Sequence, residues 1–158
     1  MQNLFLGQEL RRGGMLDERL MERRAWEVLG QLAARVPSVR APVRTLSGGQ
    51  RQAVAVVRTL IGQPRVVVLD EPLASLGISQ TAEVLNMVAR LRESGLGVVI
   101  VSHSMVDVQA VADRIMVLRL GTINGDFIAE HASYEDLIAA ITGVTPDGRA
   151  ARPTRPVP

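Results

Sequence analysis

The sequence predicts an α/β fold in which a helical segment is followed by a parallel strand-helix-strand unit and then an antiparallel hairpin. Two apolar runs without alternation, residues 66–69 and 98–101, are rich in valine and isoleucine, as is typical of parallel strands covered on both faces. Residues 79–94 lie between these runs and repeat apolar side chains at helical spacing. A third run, residues 115–120, precedes a glycine turn and a return strand, which indicates a hairpin.

Helices are predicted before and after these strands. Residues 16–35 show helical spacing with acidic residues near the N-terminal end, and Pro37 stops this helix. A second helix is predicted over residues 50–61 and ends at Gly62. A last helix is predicted over residues 133–141. For the helix of residues 79–94, Ser79 is the expected N-cap.

The composition is that of one ordinary globular domain. The chain has 158 residues, of which 47% are apolar and 22% are charged, so it is long enough for a sizeable core. All 18 basic residues are arginine, and the formal charge is only +2. The pI of about 10.3 is high because almost nothing titrates between histidine and arginine, so no nucleic-acid partner is inferred from it.

Cysteine is absent from the sequence, which excludes disulfide and thiol chemistry. No apolar run approaches the length of a membrane span, and residues 1–7 do not have the pattern of a signal peptide. These observations predict a cytoplasmic protein that is at most peripheral to a membrane.

A serine followed by two glycines begins the second predicted helix. Ser47, Gly48, Gly49 and Gln50 place a hydroxyl group and several backbone N–H groups at the positive end of the helix dipole. Glycine has no Cβ, so the backbone can approach a phosphate closely. The pattern predicts a phosphate site, and the alternative is that the glycines only provide a flexible entry into the helix.

Two adjacent carboxylates, Asp70 and Glu71, follow the first parallel strand. Ligands of open α/β sheets bind at this edge, where one acid suits the Mg²⁺ of a nucleotide and the other can take a proton from an attacking water. His103 follows the second strand and is expected to lie beside these acids. The arrangement predicts nucleotide hydrolysis, and the alternative for the acids is a solvated turn.

Residues 46–52 resemble the signature motif of the ATP-binding cassette (ABC) ATPases, and residues 66–72 resemble their Walker B strand. The resemblance implies that Asp70 holds Mg²⁺ through a water, that Glu71 polarises the attacking water, and that His103 is the switch histidine at the γ-phosphate. It also implies that the residues from Ser47 to Gln50 bind ATP held by another subunit. ATP and Mg²⁺ are the implied cofactors.

The resemblance spans nearly all of residues 2–143 and implies the C-terminal part of a nucleotide-binding domain, a partial P-loop NTPase fold. Residues 1–142 form this part, with a helical subdomain over about 8–45 and the signature helix, Walker B strand and switch histidine over 46–142. Residues 143–158 hold four prolines and no apolar periodicity, so a disordered tail is predicted there.

Further residues resemble the ATP-binding subunits of carbohydrate importers of the xylose and ribose kind. These are residues 3–7, Leu76-Gly77 and residues 141–143, with Gly77 standing where most members of the family carry aspartate. The implied partners are a second ATPase subunit in a dimer, a transmembrane permease and, indirectly, a sugar-binding protein. The implied location is the inner face of the cell membrane.

The 158 residues contain no lysine, and a phosphate-binding P-loop needs one. The family's glutamine loop and adenine-stacking aromatic residue are also missing. The chain alone is therefore predicted not to bind or hydrolyse ATP. Two alternatives remain: a non-catalytic remnant or interaction fragment, and a soluble DNA-repair type of ABC ATPase, which would need coiled-coil heptads that the sequence lacks.

Overall fold

The computed structural model describes residues 1–144, in two compact units that divide between Ser102 and His103. In chain order, the first unit contains β1 (Arg11–Arg12), β2 (Met15–Leu16), α1 (Glu18–Gln31), α2 (Gly48–Ile61), β3 (Val66–Asp70), α3 (Ile78–Glu93) and β4 (Gly97–Val101). The second unit contains α4 (Met105–Val111), β5 (Arg114–Arg119), β6 (Thr122–Ile128) and α5 (Tyr134–Thr142). None of the helices within residues 1–144 is long and apolar enough to cross a membrane.

The first unit opens with a small hairpin that the sequence patterns did not predict. Strands β1 and β2 pair antiparallel, and Gly13 and Gly14 form the turn with φ angles of 59° and 85°. Glycine is needed at such a turn because both positions have positive φ. Since β2 ends at Leu16, the first helix begins later than expected.

Helix α1 confirms the predicted amphipathic helix but is shorter at both ends. The Asp17 side chain accepts a hydrogen bond from the N–H of Leu20 at 3.0 Å and caps the helix. The helix ends at Gln31, because Ala33 takes a φ of 49° that a right-handed helix does not allow. The buried face comprises Met21, Ala25, Val28 and Leu29.

Strands β3 and β4 pair in parallel as predicted, from Val66 opposite Gly97 to Asp70 opposite Val101. Helix α3 lies between them in sequence and packs against β4, while α2 packs against both α1 and α3. The predicted N-cap of α3 is wrong. The helix begins two residues earlier, after Gly77, whose N–H donates to Gln80 Oε1 at 3.4 Å.

The expectation that these strands are covered on both faces is also wrong. Val67 and Leu69 are 1% and 7% exposed, whereas Val66 and Val68 are 54% and 65% exposed. Val99 and Val101 of β4 are likewise about half exposed, at 49% and 51%. Among the described residues this sheet has two strands. Both of its faces are apolar, and only one of them is buried.

The second unit contains the predicted antiparallel hairpin. Strands β5 and β6 pair through a turn at Leu120 and Gly121, which have φ angles of 49° and 79°. Helix α5 packs on the hairpin and ends at Gly143, which has a φ of 76°. The core of this unit comprises Ile115, Val117, Leu137 and Ala140. The predicted tail lies outside the described residues from position 145 onward.

Candidate functional site

The N-terminus of α2 is fixed by a reciprocal capping box. Ser47 Oγ accepts a hydrogen bond from the N–H of Gln50 at 3.2 Å, and Gln50 Oε1 accepts one from the N–H of Ser47 at 3.0 Å. The intrahelical ladder reaches Ser47 through the N–H of Arg51, at 2.9 Å. The N–H groups of Gly48 and Gly49 precede this bond, so the helix itself does not use them, and their use by an anion stays a prediction.

Arg51 also stabilises the entry into this helix. Its Nη1 atom donates a 2.6 Å hydrogen bond to the carbonyl oxygen of Leu46. Leu46 is 5% exposed, so the residue immediately before the capping serine is anchored in the core. The serine itself is exposed, which leaves its hydroxyl group at the surface on a fixed backbone.

The two signature glycines contact α3, which the sequence patterns did not reveal. A Cβ atom at Gly48 would lie 3.0 Å from Leu76 Cδ2 and 3.1 Å from Gln80 Oε1. A Cβ atom at Gly49 would lie 3.3 Å from Glu83 Oε2. A larger residue at either position would therefore make these side chains shift by a few tenths of an ångström, a packing constraint in addition to the predicted close approach of phosphate.

The predicted acids lie where β3 ends. Asp70 is exposed and pairs with Val101 across the sheet. Glu71 is half-buried, its N–H donates to the carbonyl oxygen of Val101 at 2.8 Å, and its φ is 45°. The carbonyl oxygen of Glu71 then accepts from the N–H of Ala74 at 3.1 Å, so the chain turns directly after the acids. This left-handed backbone at Glu71 has no signal in the sequence, since glycine is the residue that usually adopts it.

The end of β3 carries two adjacent carboxylates, Asp70 and Glu71. Within residues 1–144, no group of three or more histidine, cysteine or acidic side chains is placed to hold a metal. Protein sites for nucleotide-bound Mg²⁺ use one or two carboxylates, and water and phosphate oxygens supply the other ligands. Asp70, which is exposed at the strand end, is the carboxylate predicted to hold such an ion through a water.

His103 is the first residue of the second unit and is exposed. It follows β4 by two positions, as the sequence pattern required, and precedes α4. Its approach to Asp70 and Glu71 stays a prediction. The structure places the predicted site residues of the first unit in two groups. The signature residues lie at the start of α2, and the two acids lie at the end of β3.

Comparison with known proteins identifies relatives for most of the chain. A family model described as ABC transporter matches residues 2–74. The fructose import ATP-binding protein FrcA of Rhizobium meliloti is 38% identical over 157 residues, which cover 94% of this chain and 60% of that protein. The xylose/arabinose import ATP-binding protein XylG of Sulfolobus acidocaldarius is 35% identical over 140 residues, or 89% of this chain and 56% of that protein. The chain therefore spans somewhat more than half the length of these relatives.

Solved structures give the same fold. A nucleotide-free ATP-binding cassette from an ABC transporter superposes with a TM-score of 0.70 at 22% identity, and the match covers 93% of this chain and 59% of that one. An ATP-binding cassette of a further ABC transporter superposes with a TM-score of 0.67 at 25% identity, over 83% of this chain and 50% of that one. The predicted class, a partial P-loop NTPase domain of the ABC type, is confirmed.

The resemblance found in the motifs agrees with the relatives, which are sugar import ATP-binding proteins. Over residues 2–74 the chain carries part of the ABC transporter family's domain, and over most of its length it is similar to sugar import ATP-binding proteins.

Proposed function

We propose that this chain forms the signature and Walker B part of an ATP-binding cassette that powers sugar import. The observation that carries the proposal is the capped start of α2. There an exposed serine is held by the capping box, and the two glycines that follow it lie beside α3. The relatives named for import of fructose and of xylose or arabinose support the sugar class. The proposed partners are a second ATPase subunit and a transmembrane permease at the inner face of the membrane.

The proposed role of the signature is to complete an ATP site on the other subunit. The Ser47 hydroxyl and the N–H groups of Gly48 and Gly49 would donate hydrogen bonds to the γ-phosphate, and bonds to an ionised acceptor are stronger than neutral ones. ADP lacks this phosphate, so the two subunits would associate with ATP and not with ADP.

The proposed roles of the acids and the histidine apply when a nucleotide is held beside them. Asp70 would hold Mg²⁺ through a water, Glu71 would accept the proton of the attacking water, and His103 would contact the γ-phosphate. Mg²⁺, when bound, would neutralise charge on the phosphates.

A nucleotide here needs a phosphate-cradling loop, and these 158 residues contain no lysine with which to build the usual one. We therefore propose that the chain by itself does not bind or hydrolyse ATP.

Association with a full-length relative tests this proposal. The partner is FrcA of Rhizobium meliloti with its Walker B glutamate replaced by glutamine, so that bound ATP persists. Light scattering of the mixture should show a complex with ATP and none with ADP. Ser47→Asn should weaken the complex. Asparagine removes the hydroxyl group but keeps the helix cap, so this variant separates the loss of the hydroxyl group from a loss of the cap. A mixture that shows no dependence on ATP would contradict the proposal.

An inert fragment is the second candidate, and the exposed face of β3 and β4 favours it. Val66 and Val68 are more than half exposed, and such a face usually packs against a further layer. This candidate predicts self-association that is equal with ATP and ADP.

A DNA-repair type of ATPase is not supported, since the longest helix within residues 1–144 has 16 residues, too few for a long coiled coil.

A further inference from the structure

We infer that Gln80 is a positioning residue, which sets the place of the signature glycines relative to the loop after the Walker B strand. Its Oε1 atom accepts the N–H of Gly77 at 3.4 Å. The same atom lies 3.1 Å from the place that a Cβ would occupy at Gly48. One side-chain oxygen thus accepts a hydrogen bond from the end of the loop and lies beside the first turn of the signature helix.

The loop contacts the signature at a second point. Leu76, which ends this loop, has its Cδ2 atom 3.0 Å from the Cβ position of Gly48, and its N–H donates to the carbonyl oxygen of Leu73 at 3.3 Å. A displacement of the loop would therefore be transmitted to Gly48 through two neighbours, the Leu76 side chain and the Gln80 amide.

The contact continues along α3 by one turn. The Cβ position of Gly49 lies 3.5 Å from Gln80 Cβ and 3.3 Å from Glu83 Oε2. Residues three apart lie on the same face of a helix, so Gln80 and Glu83 form one surface against the two glycines. Gly49 is buried by this contact, whereas Gly30 of α1 has no atom within 4 Å of its Cβ position. Gly30 is therefore the matched control for a helical glycine without a neighbour.

The first test uses thermal unfolding of the whole chain. Gly30→Ala should raise the midpoint by about 2–4 °C, because alanine favours the helix and nothing obstructs its methyl group. Gly48→Ala should give no such rise, since Gln80 and Leu76 must move by a few tenths of an ångström to admit the methyl group. In a Gln80→Ala background, Gly48→Ala should be less unfavourable than in the unmodified chain, although Leu76 Cδ2, 3.0 Å from the added methyl group, still has to move. An equal effect of Gly48→Ala on the midpoint in both backgrounds would overturn the inference.

The second test asks whether this contact positions the signature for a partner, and it rests on the proposed function. Association with the hydrolysis-deficient FrcA is measured in ATP, well below the unfolding midpoint, where a purely stabilising residue has no effect. Gln80→Ala should weaken the complex several-fold, and Gln80→Glu should restore it because a carboxylate oxygen can still accept the Gly77 N–H. Equal association of all three proteins would overturn the positioning role. If the unmodified chain forms no ATP-dependent complex, the proposed function fails, while the thermal test still decides the contact.

Discussion

The N–H of Glu71 donates a 2.8 Å hydrogen bond to the carbonyl oxygen of Val101. This bond continues the parallel ladder one residue beyond the end of β3 and holds Glu71 at a φ of 45°. A residue with a Cβ is strained in that region, and such strain is often found at functional sites. The strained position is occupied here by the carboxylate proposed to accept a proton from water.

We predict that Glu71→Gly gives a more stable chain than Glu71→Ala, by about 1 kcal/mol, because glycine adopts this φ without strain. Both substitutions remove the carboxylate, so their difference isolates the backbone. Urea unfolding of the two variants measures it. Equal stability would show that the backbone at this position relaxes when the carboxylate is removed.

Ser47→Ala should destabilise the chain by about 1 kcal/mol without any nucleotide, because it removes the capping bond to Gln50. Ser47→Asn should stay within a few tenths of a kcal/mol of the unmodified chain. Ser133 accepts from the N–H of Asp136 at 3.1 Å in the same kind of capping box, so Ser133→Ala is a matched control with a similar cost. Denaturant titration measures the free energy of unfolding of each variant. If Ser47→Ala left this free energy unchanged, the cap would contribute nothing to stability.

The two faces of β3 should respond differently to the same change. Val67→Thr buries a hydroxyl group at a position that is 1% exposed and should cost about 1–3 kcal/mol. Val68→Thr changes a position that is 65% exposed, so it should alter stability by less than about 0.5 kcal/mol and reduce self-association. Unfolding and light scattering together test this. A large loss of stability for Val68→Thr would place that side chain in a packed interface in solution.

Arg40 links the segment before the signature to α1, through hydrogen bonds of 2.8 and 3.1 Å to Glu22 and an ion pair of 3.5 Å to Glu18. Its hydrogen bond holds the pKa of Glu22 below the ordinary value of 4.5. A lowered folded pKa adds stability above the unfolded pKa, and this is lost as the pH falls through the folded pKa.

The stability difference between the unmodified chain and Arg40→Gln should therefore be constant near neutral pH and shrink below pH 4.5. Thermal midpoints over a pH series measure this difference. Since the groups are exposed, the difference should also shrink with added salt. A difference that grows on acidification would contradict the assigned direction.

The helices and strands were largely predictable because apolar periodicity reports which residues are buried. The start of α3 was not, since Gln80 caps Gly77 from within the helix and no capping residue at Ser79 was needed. The exposed face of β3 was not predicted, because a run of valines gives the same sequence pattern whether one or both faces of the strand are buried. At the site, the motif residues were identified from order and spacing, whereas the contact between Gly48 and Gln80 depends on how two helices pack and leaves no local pattern.

The most direct test of the central claim is the affinity for ATP, measured by calorimetry for the chain, for hydrolysis-deficient FrcA and for their mixture. If ATP promotes association, then association must tighten ATP binding by the same factor. We predict no saturable micromolar binding by the chain alone and a tighter affinity in the mixture than for FrcA alone, with the gain reduced by Ser47→Asn. Saturable binding of ATP by the chain alone, or an affinity in the mixture equal to that of FrcA, would contradict the claim.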